Sequence, residues 1–210
     1  MFVITKINAR EVKDHYLDRV RVHKELVDLL ATNKFQQYAK LALGISDHAG
    51  NYSAAEHALG PQILANSTAR DVWRLAKTLQ GCSTVKDVVS AIYSANIEYL
   101  KIGVGSEMAA MLKPNKFWVG NARTIWTHLV FKHNGNYKKA DKELSLYHDN
   151  ERNSEMDYAI WSDIYLSMES NLNQIANIAN KWSEKHGIKP GKRKYLWVDA
   201  VCNSLYNEHQ

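Results

Sequence analysis

The stretch "IEYLKIGVGSEMAAMLKP" covers residues 97–114 and places two glycines one residue apart between segments of helical spacing. Gly103 suits the positive φ that commonly follows a helix, because it has no Cβ to collide with the backbone. Gly105 precedes Ser106, whose hydroxyl is typical of a helix N-cap. The stretch therefore predicts a helix ending at Lys101, a tight turn and a second helix beginning after Ser106.

The start of that second helix is a candidate phosphate site. Backbone N–H groups in a first helical turn have no acceptor within the helix and point outward at the positive end of the helix dipole. The predicted phosphate contacts are Gly103, Val104, Gly105 and Ser106. A helix C-cap followed by an N-cap gives the same letters in proteins that never bind nucleic acid, so a plain turn is the alternative.

Apolar residues recur at spacings of three and four along nearly the whole chain, which predicts an all-α fold. A first helix is predicted over about 9–31, with an apolar stripe of Val12, Tyr16, Val20, His23, Val27 and Leu30. Further helices are predicted at about 34–43, 67–79, 84–100, 106–112, 121–133, 137–147, 154–184 with a break near Ser170, and 193–208. No alternating segment is long enough to predict a sheet.

Composition favours a compact, cytoplasmic protein. The chain has 210 residues, of which 45% are hydrophobic, enough to bury a core. No apolar run approaches the roughly 20 residues that span a bilayer, and the first residues lack the order of a secretion signal. Cys82 and Cys202 form no C-x-x-C pair, so we expect buried thiols, with neither a metal site nor a cofactor.

The net charge of +5 is concentrated near the carboxyl end of the chain. Six cations and one acid lie between Lys181 and Lys194, so the rest of the chain is close to neutral. Lys192, Arg193 and Lys194 are candidate phosphate contacts. The alternative is an ordinary solvated loop, since glycine and proline interrupt the segment and charged runs of this kind are usually solvated.

Residues Leu100–Ala109 resemble the helix-hairpin-helix motif L-x-G-V-G-x-x-x-A, with the two residues Lys101-Ile102 where one Pro is common. Upstream, "QILANSTARDVWRLAKTL" (62–79) resembles a helix opening in the DNA glycosylases related to endonuclease III. Downstream, "PNKFWVGNARTIWTHLV" (114–130) is similar to their segment in which an apolar turn ends in Asp before a helix. The three pieces have the order found in that superfamily and cover about a third of the chain.

The resemblance implies a two-lobed, all-α protein that binds double-stranded DNA in a cleft. Residues 32–133 would form the central lobe with the hairpin, and residues 1–31 and 134–210 the second lobe. Enzymes of this family flip a nucleotide out of the duplex and insert a side chain into the gap. Asn66 or Ser67 occupies the expected wedge position, and a plain helix N-cap is the alternative there.

The sequence departs from the family at both of its catalytic positions. Glu107 stands where many members have a nucleophilic Lys, and Asn121 stands at the position of the Asp that stabilises positive charge on the sugar. Because Asn cannot ionise, a nearby carboxylate would have to carry that charge while Asn121 orients water or the sugar. The carboxylates considered for this role, which the sequence does not rank, are Glu107, Asp141, Asp149 and Asp157.

Three functions remain open at this point. Arg123, Trp126 and His128 would contact an extruded base or its phosphate, although such aromatic residues more often belong to a core. Without the hairpin Lys and the family's four-cysteine iron–sulfur site, we expect neither a Schiff-base lyase nor an iron–sulfur cluster. The candidates are a DNA-repair hydrolase that cleaves the N-glycosidic bond of a modified or damaged base, a DNA-modification transferase of glycosylase descent, and a non-catalytic DNA-binding module.

Overall fold

Helical spacing in the sequence corresponds to helix almost throughout the protein. The computed structural model describes residues 7–147 and 155–209. Within these two ranges all regular secondary structure is helical, which confirms the predicted all-α class. The helices are α1 (Ala9–Ala31), α2 (Phe35–Ala42), a 3-10 turn (His48–Gly50), α3 (Tyr52–Glu56), α4 (Leu59–Asn66), α5 (Ala69–Gly81), α6 (Val85–Ala95), α7 (Ile102–Leu112), α8 (Ala122–Lys132), α9 (Tyr137–Ser145), α10 (Glu155–Ser167), α11 (Glu169–Lys185) and α12 (Lys194–Asn207).

Helix α1 has the predicted bounds, whereas the two helices around the paired glycines differ from the prediction. Helix α6 ends at Ala95 rather than near residue 100, and α7 already begins at Ile102. Asn96 ends α6 in the left-handed conformation with φ 46°, which Asn adopts more readily than most residues. Ser53 and Glu56 have the spacing of a capped helix start, and α3 does begin there, at Tyr52, but its N-cap is Asn51. Apolar spacing does not predict α4.

The buried face of α1 contains part of the predicted apolar stripe. Val12, His23 and Leu30 are buried as expected, but Val27 is 36% exposed and Arg19, which the stripe leaves out, is completely buried. A stripe inferred from apolar letters leaves out a charged residue, because a charge enters a core only where partners compensate it. The partners of Arg19 come from α7 and from the turn before α3, both distant in the sequence.

The chain divides into two compact units whose boundaries lie at other positions than those inferred from the resemblance. Unit 1 contains the residues up to Leu17 together with those from Ala122 onward, and unit 2 is Asp18–Asn121. One boundary therefore lies inside α1 rather than at residue 31, and the other lies just before α8 rather than at residue 133.

Unit 2 is built around α5. This helix packs against α2, α6 and α7, while α3 packs against α4 and α7. The start of α5 is fixed by a capping box, in which Thr68 and Asp71 each accept a hydrogen bond from the backbone N–H of the other. The largest side chains completely or almost completely buried in this unit include Tyr38, Ile63, Leu79, Phe117 and Trp118.

Unit 1 is built around α8, which packs against α9, α11 and α12. Glu143 of α9 ties the end of α8 to α9, because its carboxylate accepts hydrogen bonds from Lys132 Nζ at 2.6 Å, His133 Nε2 at 2.6 Å and Tyr147 OH at 2.5 Å. Burial by itself would raise the pKa of Glu143, but the bonds from Lys132, Tyr147 and His133 outweigh it and lower the pKa to about 2.

The low pKa of Glu143 predicts a contribution to stability that depends on pH. A carboxylate with a folded pKa below its ordinary 4.5 stabilises the folded state fully above pH 4.5, and the contribution is lost as the pH falls towards about 2. We expect Glu143→Gln to reduce the slope of the unfolding free energy against pH in this window, measured by urea unfolding. The exposed Glu208 is the matched control, and an unchanged slope in Glu143→Gln would contradict the assignment.

Candidate functional site

The segment between α6 and α7 forms the predicted turn, but with other residues than predicted. Asn96 and Tyr99 have the positive φ values, 46° and 61°. Gly103 does not, because it lies in the first turn of α7. The helix before the turn does not reach Lys101, which instead is the N-cap residue of α7. The predictions that Gly103 takes a positive φ and that a helix ends at Lys101 are therefore wrong.

The two glycines have different structural roles. A Cβ added to Gly105 would lie 2.6 Å from the side chain of Ile92 on α6, so Gly105 permits the close approach of the two helices. A Cβ on Gly103 would have no neighbour nearer than 3.9 Å, at Ser53. Only Gly105 is thus required by packing, and Gly103 is the half-exposed glycine of the pair.

The helix start at Ile102 determines which backbone amides have no acceptor in the helix. These are the amides of the first turn, at Ile102, Gly103 and Val104, whereas the Gly105 amide donates to Lys101 O at 2.8 Å. The side chains of Ile102 and Val104 are buried. The accessible part of this helix terminus is therefore centred on Gly103.

Ser106 is not the N-cap that the sequence predicts, since it lies inside α7 and is completely buried. Its hydroxyl accepts a hydrogen bond from Gly120 N at 2.9 Å and donates to Gly103 O at 3.3 Å. It thereby holds the segment before α8 against α7. Asn121 follows Gly120 directly, is only 8% exposed and immediately precedes α8.

Glu107 is part of a buried charge network. Its Oε1 lies 2.8 Å from Arg19 Nη1 and accepts from Tyr52 N at 2.8 Å, while Oε2 accepts from Ser53 N at 3.1 Å and Ser53 Oγ at 2.9 Å. Arg19 also donates to Ala49 O at 2.8 Å. Both charged side chains are 0% exposed. With four donors around it and no exposed surface, the carboxylate anchors α1 and the start of α3 to α7, and a substrate has no access to it.

Of the two predicted acids whose side chains the structure describes, Glu107 is enclosed and Asp141 has exposed surface. Its Oδ1 accepts from Trp126 Nε1 at 2.7 Å, both of its oxygens lie 3.2 Å from His209 Nε2, and 45% of its side chain is exposed. The Tyr137 and His209 rings are nearly parallel to the Trp126 ring, with centroids 5.7 and 4.7 Å from it. Asp149 and the side chain of Asp157 lie outside the described residues.

Trp126 and His128, two of the predicted base contacts on α8, lie on different faces of this helix. Trp126 is 1% exposed, so the exposed ring of the aromatic cluster is Tyr137, at 39%. His128 lies two residues further along the helix, on a different face, where Asn171 Nδ2 is 3.3 Å from its Nδ1. Burial, followed by the nearby charge of Lys132, lowers the pKa of His128 to about 4, which keeps this ring neutral near pH 7.

The two residues at the predicted wedge position end α4. Asn66 Nδ2 donates to Gln62 O at 3.0 Å, and Ser67 Oγ donates to Ile63 O at 2.7 Å. The helix N-cap considered as their alternative role belongs to the next residue, Thr68. Asn66 is exposed and Ser67 is partly buried.

The basic loop, which we define as residues 185–194, is firmly attached to unit 1. A Cβ on Gly191 would lie 2.6 Å from the Tyr16 ring and 3.0 Å from Trp197, and Arg193 N donates to Tyr16 OH at 3.1 Å. Lys194 Nζ bonds to Asn173 Oδ1 at 2.5 Å. In contrast, the exposed cations of the loop are Lys185, Lys189 and Lys192, with Arg193 half-buried.

Two further features lie outside the predicted sites. An open groove of about 660 Å³ in unit 2 is lined by α5, α6 and the chain around Cys82. In unit 1, His15 Nε2 and Asp199 Oδ2 form a buried pair at 3.2 Å. Its members are 184 positions apart in the sequence, which explains why local sequence patterns do not reveal the pair. The described ranges contain no cluster of metal-ligating side chains and no helix suited to crossing a bilayer.

The network around Glu107 predicts a large effect on stability. Glu107→Gln would leave the buried Arg19 charge uncompensated, which typically costs about 3–5 kcal/mol of unfolding free energy. The matched control is Glu25→Gln. Glu25 is 53% exposed and its Oε2 lies 3.9 Å from Arg21 Nη1, and an exposed ion pair of this kind contributes at most about 1 kcal/mol. Urea unfolding of both variants tests the assignment, and similar stabilities would contradict it.

Comparison with known proteins identifies no relative of this chain. No protein-family model matches it, no curated protein matches it, and no solved structure matches it. The resemblance to the helix-hairpin-helix glycosylases therefore rests on residues 62–130 alone, and the fold class rests on the chain's own helices.

Proposed function

We propose that the protein binds double-stranded DNA by its phosphate backbone. The observation that carries the proposal is the anchored basic loop of unit 1. Lys185, Lys189 and Lys192 are exposed, while the backbone beside them is held by Gly191 and Arg193 against Tyr16. Cations on an ordered loop lose less conformational freedom when they meet phosphates than cations on a loose one.

A second proposed phosphate contact is the start of α7, in unit 2. Its accessible amide donors lie around Gly103, and the half-exposed Lys101 directly precedes them. Such a terminus favours a phosphate through its free N–H groups and its dipole. Glu107 has no part in this proposal, because its carboxylate is enclosed by Arg19 and α3.

Cleavage of the N-glycosidic bond of a flipped, modified or damaged base is the second candidate. The observation that favours it is the partly exposed carboxylate of Asp141, which Trp126 orients at 2.7 Å beside the exposed Tyr137 ring. A carboxylate can stabilise the positive charge that develops on the sugar, and an aromatic ring can stack on a base. Asn121, which immediately precedes α8, is the candidate for orienting water.

The DNA proposal predicts a specific change in salt dependence. We expect Lys189→Gln/Lys192→Gln to weaken binding to a duplex and to lower the slope of log K against log salt by about 0.9 for each phosphate that the variant no longer neutralises. The matched control is Lys138→Gln/Lys139→Gln, which removes two exposed cations from α9 of the same unit. Fluorescence anisotropy across a salt series measures both. Equal slopes for the two double variants would reject the role of the loop.

Phosphate binding at the first turn of α7 is tested by a separate variant. Gly105 is unsuitable, because any side chain there collides with Ile92. Gly103→Ala adds a methyl group without a clash in the free protein; we expect it to preserve stability and to weaken duplex binding about tenfold by obstructing the amides. Unchanged affinity in a stable Gly103→Ala protein would remove α7 from the interface.

The catalytic candidate predicts release of a base. On duplexes that carry a panel of modified and damaged bases, wild-type protein should release base, and Asp141→Asn should reduce the rate at least 100-fold while affinity for the duplex is retained. Asn121→Ala should also reduce the rate, and the exposed Asp163→Asn serves as the control. Duplex binding without release from any substrate by the wild-type protein would reject the enzyme and leave the binding module.

A further inference from the structure

The outward face of α5 carries a row of three cations. Arg70, Arg74 and Lys77 are spaced by four and three residues, which places them on one side of the helix. Arg70 and Arg74 are exposed, and Lys77 is partly exposed. This face lies opposite the buried side of α5. It falls within the stretch 62–79 quoted for the resemblance, but none of the contacts proposed above includes these three cations.

Two of these cations are held over aromatic rings. The Arg70 guanidinium lies 5.1 Å from the centroid of Phe35 on α2, and Lys77 Nζ lies 5.2 Å from the centroid of Trp73. Cation–π contacts of this kind restrict the long side chains without neutralising them. The face therefore presents positive charge at defined positions.

Acidic charge lies beside Arg74, which shares the groove of unit 2 with Asp71 and Asp87. Asp71 is the carboxylate on this part of α5; its Oδ1 pairs with Arg74 Nη2 at 2.9 Å, and its Oδ2 is used by Thr68 in the capping box. Arg70 and Lys77 have no ion pair with any residue that the structure describes. The exposed Lys34, which precedes Phe35, adds a further cation beside α2.

We propose that the face formed by Arg70, Arg74 and Lys77 over Phe35 and Trp73 contacts successive phosphates of a nucleic-acid strand. At a rise of 1.5 Å per residue, the cations are spread over about 10 Å along the helix axis, a length that suits neighbouring phosphates of one strand. A planar guanidinium fits a phosphate in a bidentate way and can also stack on a base. These two properties favour nucleic acid over an acidic peptide.

This inference rests on the proposed function and extends it to a second surface of unit 2. The test compares Arg70→Gln/Lys77→Gln with Lys24→Gln/Lys86→Gln, which removes two exposed cations from α1 and α6 of the same unit. Duplex and single-stranded oligonucleotides of equal length are titrated over a salt series. We expect the α5 variant, but not its control, to bind about tenfold more weakly, with a salt slope smaller by one to two units. The oligonucleotide that shows the larger reduction identifies the strand form.

A second pair of variants tests the aromatic support while the charge is kept. Trp73→Phe retains a ring beneath Lys77 and should bind as the wild type does, whereas Trp73→Leu removes the ring and should bind more weakly at equal thermal stability. Equal affinity of the α5 double variant and its control would overturn the inference while leaving the DNA proposal intact. Failure of the wild-type protein to bind either oligonucleotide would overturn both the inference and the DNA proposal. Binding of polyglutamate but of neither oligonucleotide would assign the face to an acidic protein.

Discussion

The buried ion pair between Arg19 and Glu107 is the interaction on which unit 2 depends. Removing two charges from water costs several kcal/mol each, and only a nearly complete set of hydrogen bonds offsets this cost. Glu107 has that set, since Arg19 and three donors from Tyr52 and Ser53 surround its oxygens. The pair therefore fixes α1, the start of α3 and α7 at one mutual geometry, because a small displacement would leave a charge without a partner.

The same constraint determines what α7 can do. On its buried side, Glu107 pairs with Arg19 and Gly105 packs against Ile92. Only the first turn of α7 therefore remains accessible to another molecule. In the resemblance, position 107 would hold a covalent nucleophile. Here the position stabilises the fold, and this agrees with the absence of a Schiff-base lyase from our proposal. A phosphate contact at Gly103 requires no reactive side chain.

Unit 1 combines rigidity with exposed charge in a different way. The Tyr16 hydroxyl accepts a hydrogen bond from Arg193 N in the basic loop, and the Tyr16 ring packs against Gly191. The side chains of Lys185, Lys189 and Lys192 remain exposed to solvent. The Trp126 and His209 rings orient the Asp141 carboxylate yet leave part of it exposed. Both arrangements place charge on an ordered support, which is what recognition of a charged polymer requires.

The sequence by itself determined the helical class and the bounds of α1, since apolar periodicity is a local property that a long helix displays over several turns. It also located the basic loop, because charge is read directly from the letters. Only the tertiary structure decided that Arg19 is buried, that Glu107 is an anchor and that Gly105, rather than Gly103, is required by packing. These outcomes depend on contacts between residues far apart in the chain, and a charged or small residue carries no local mark of the partner that folding brings to it.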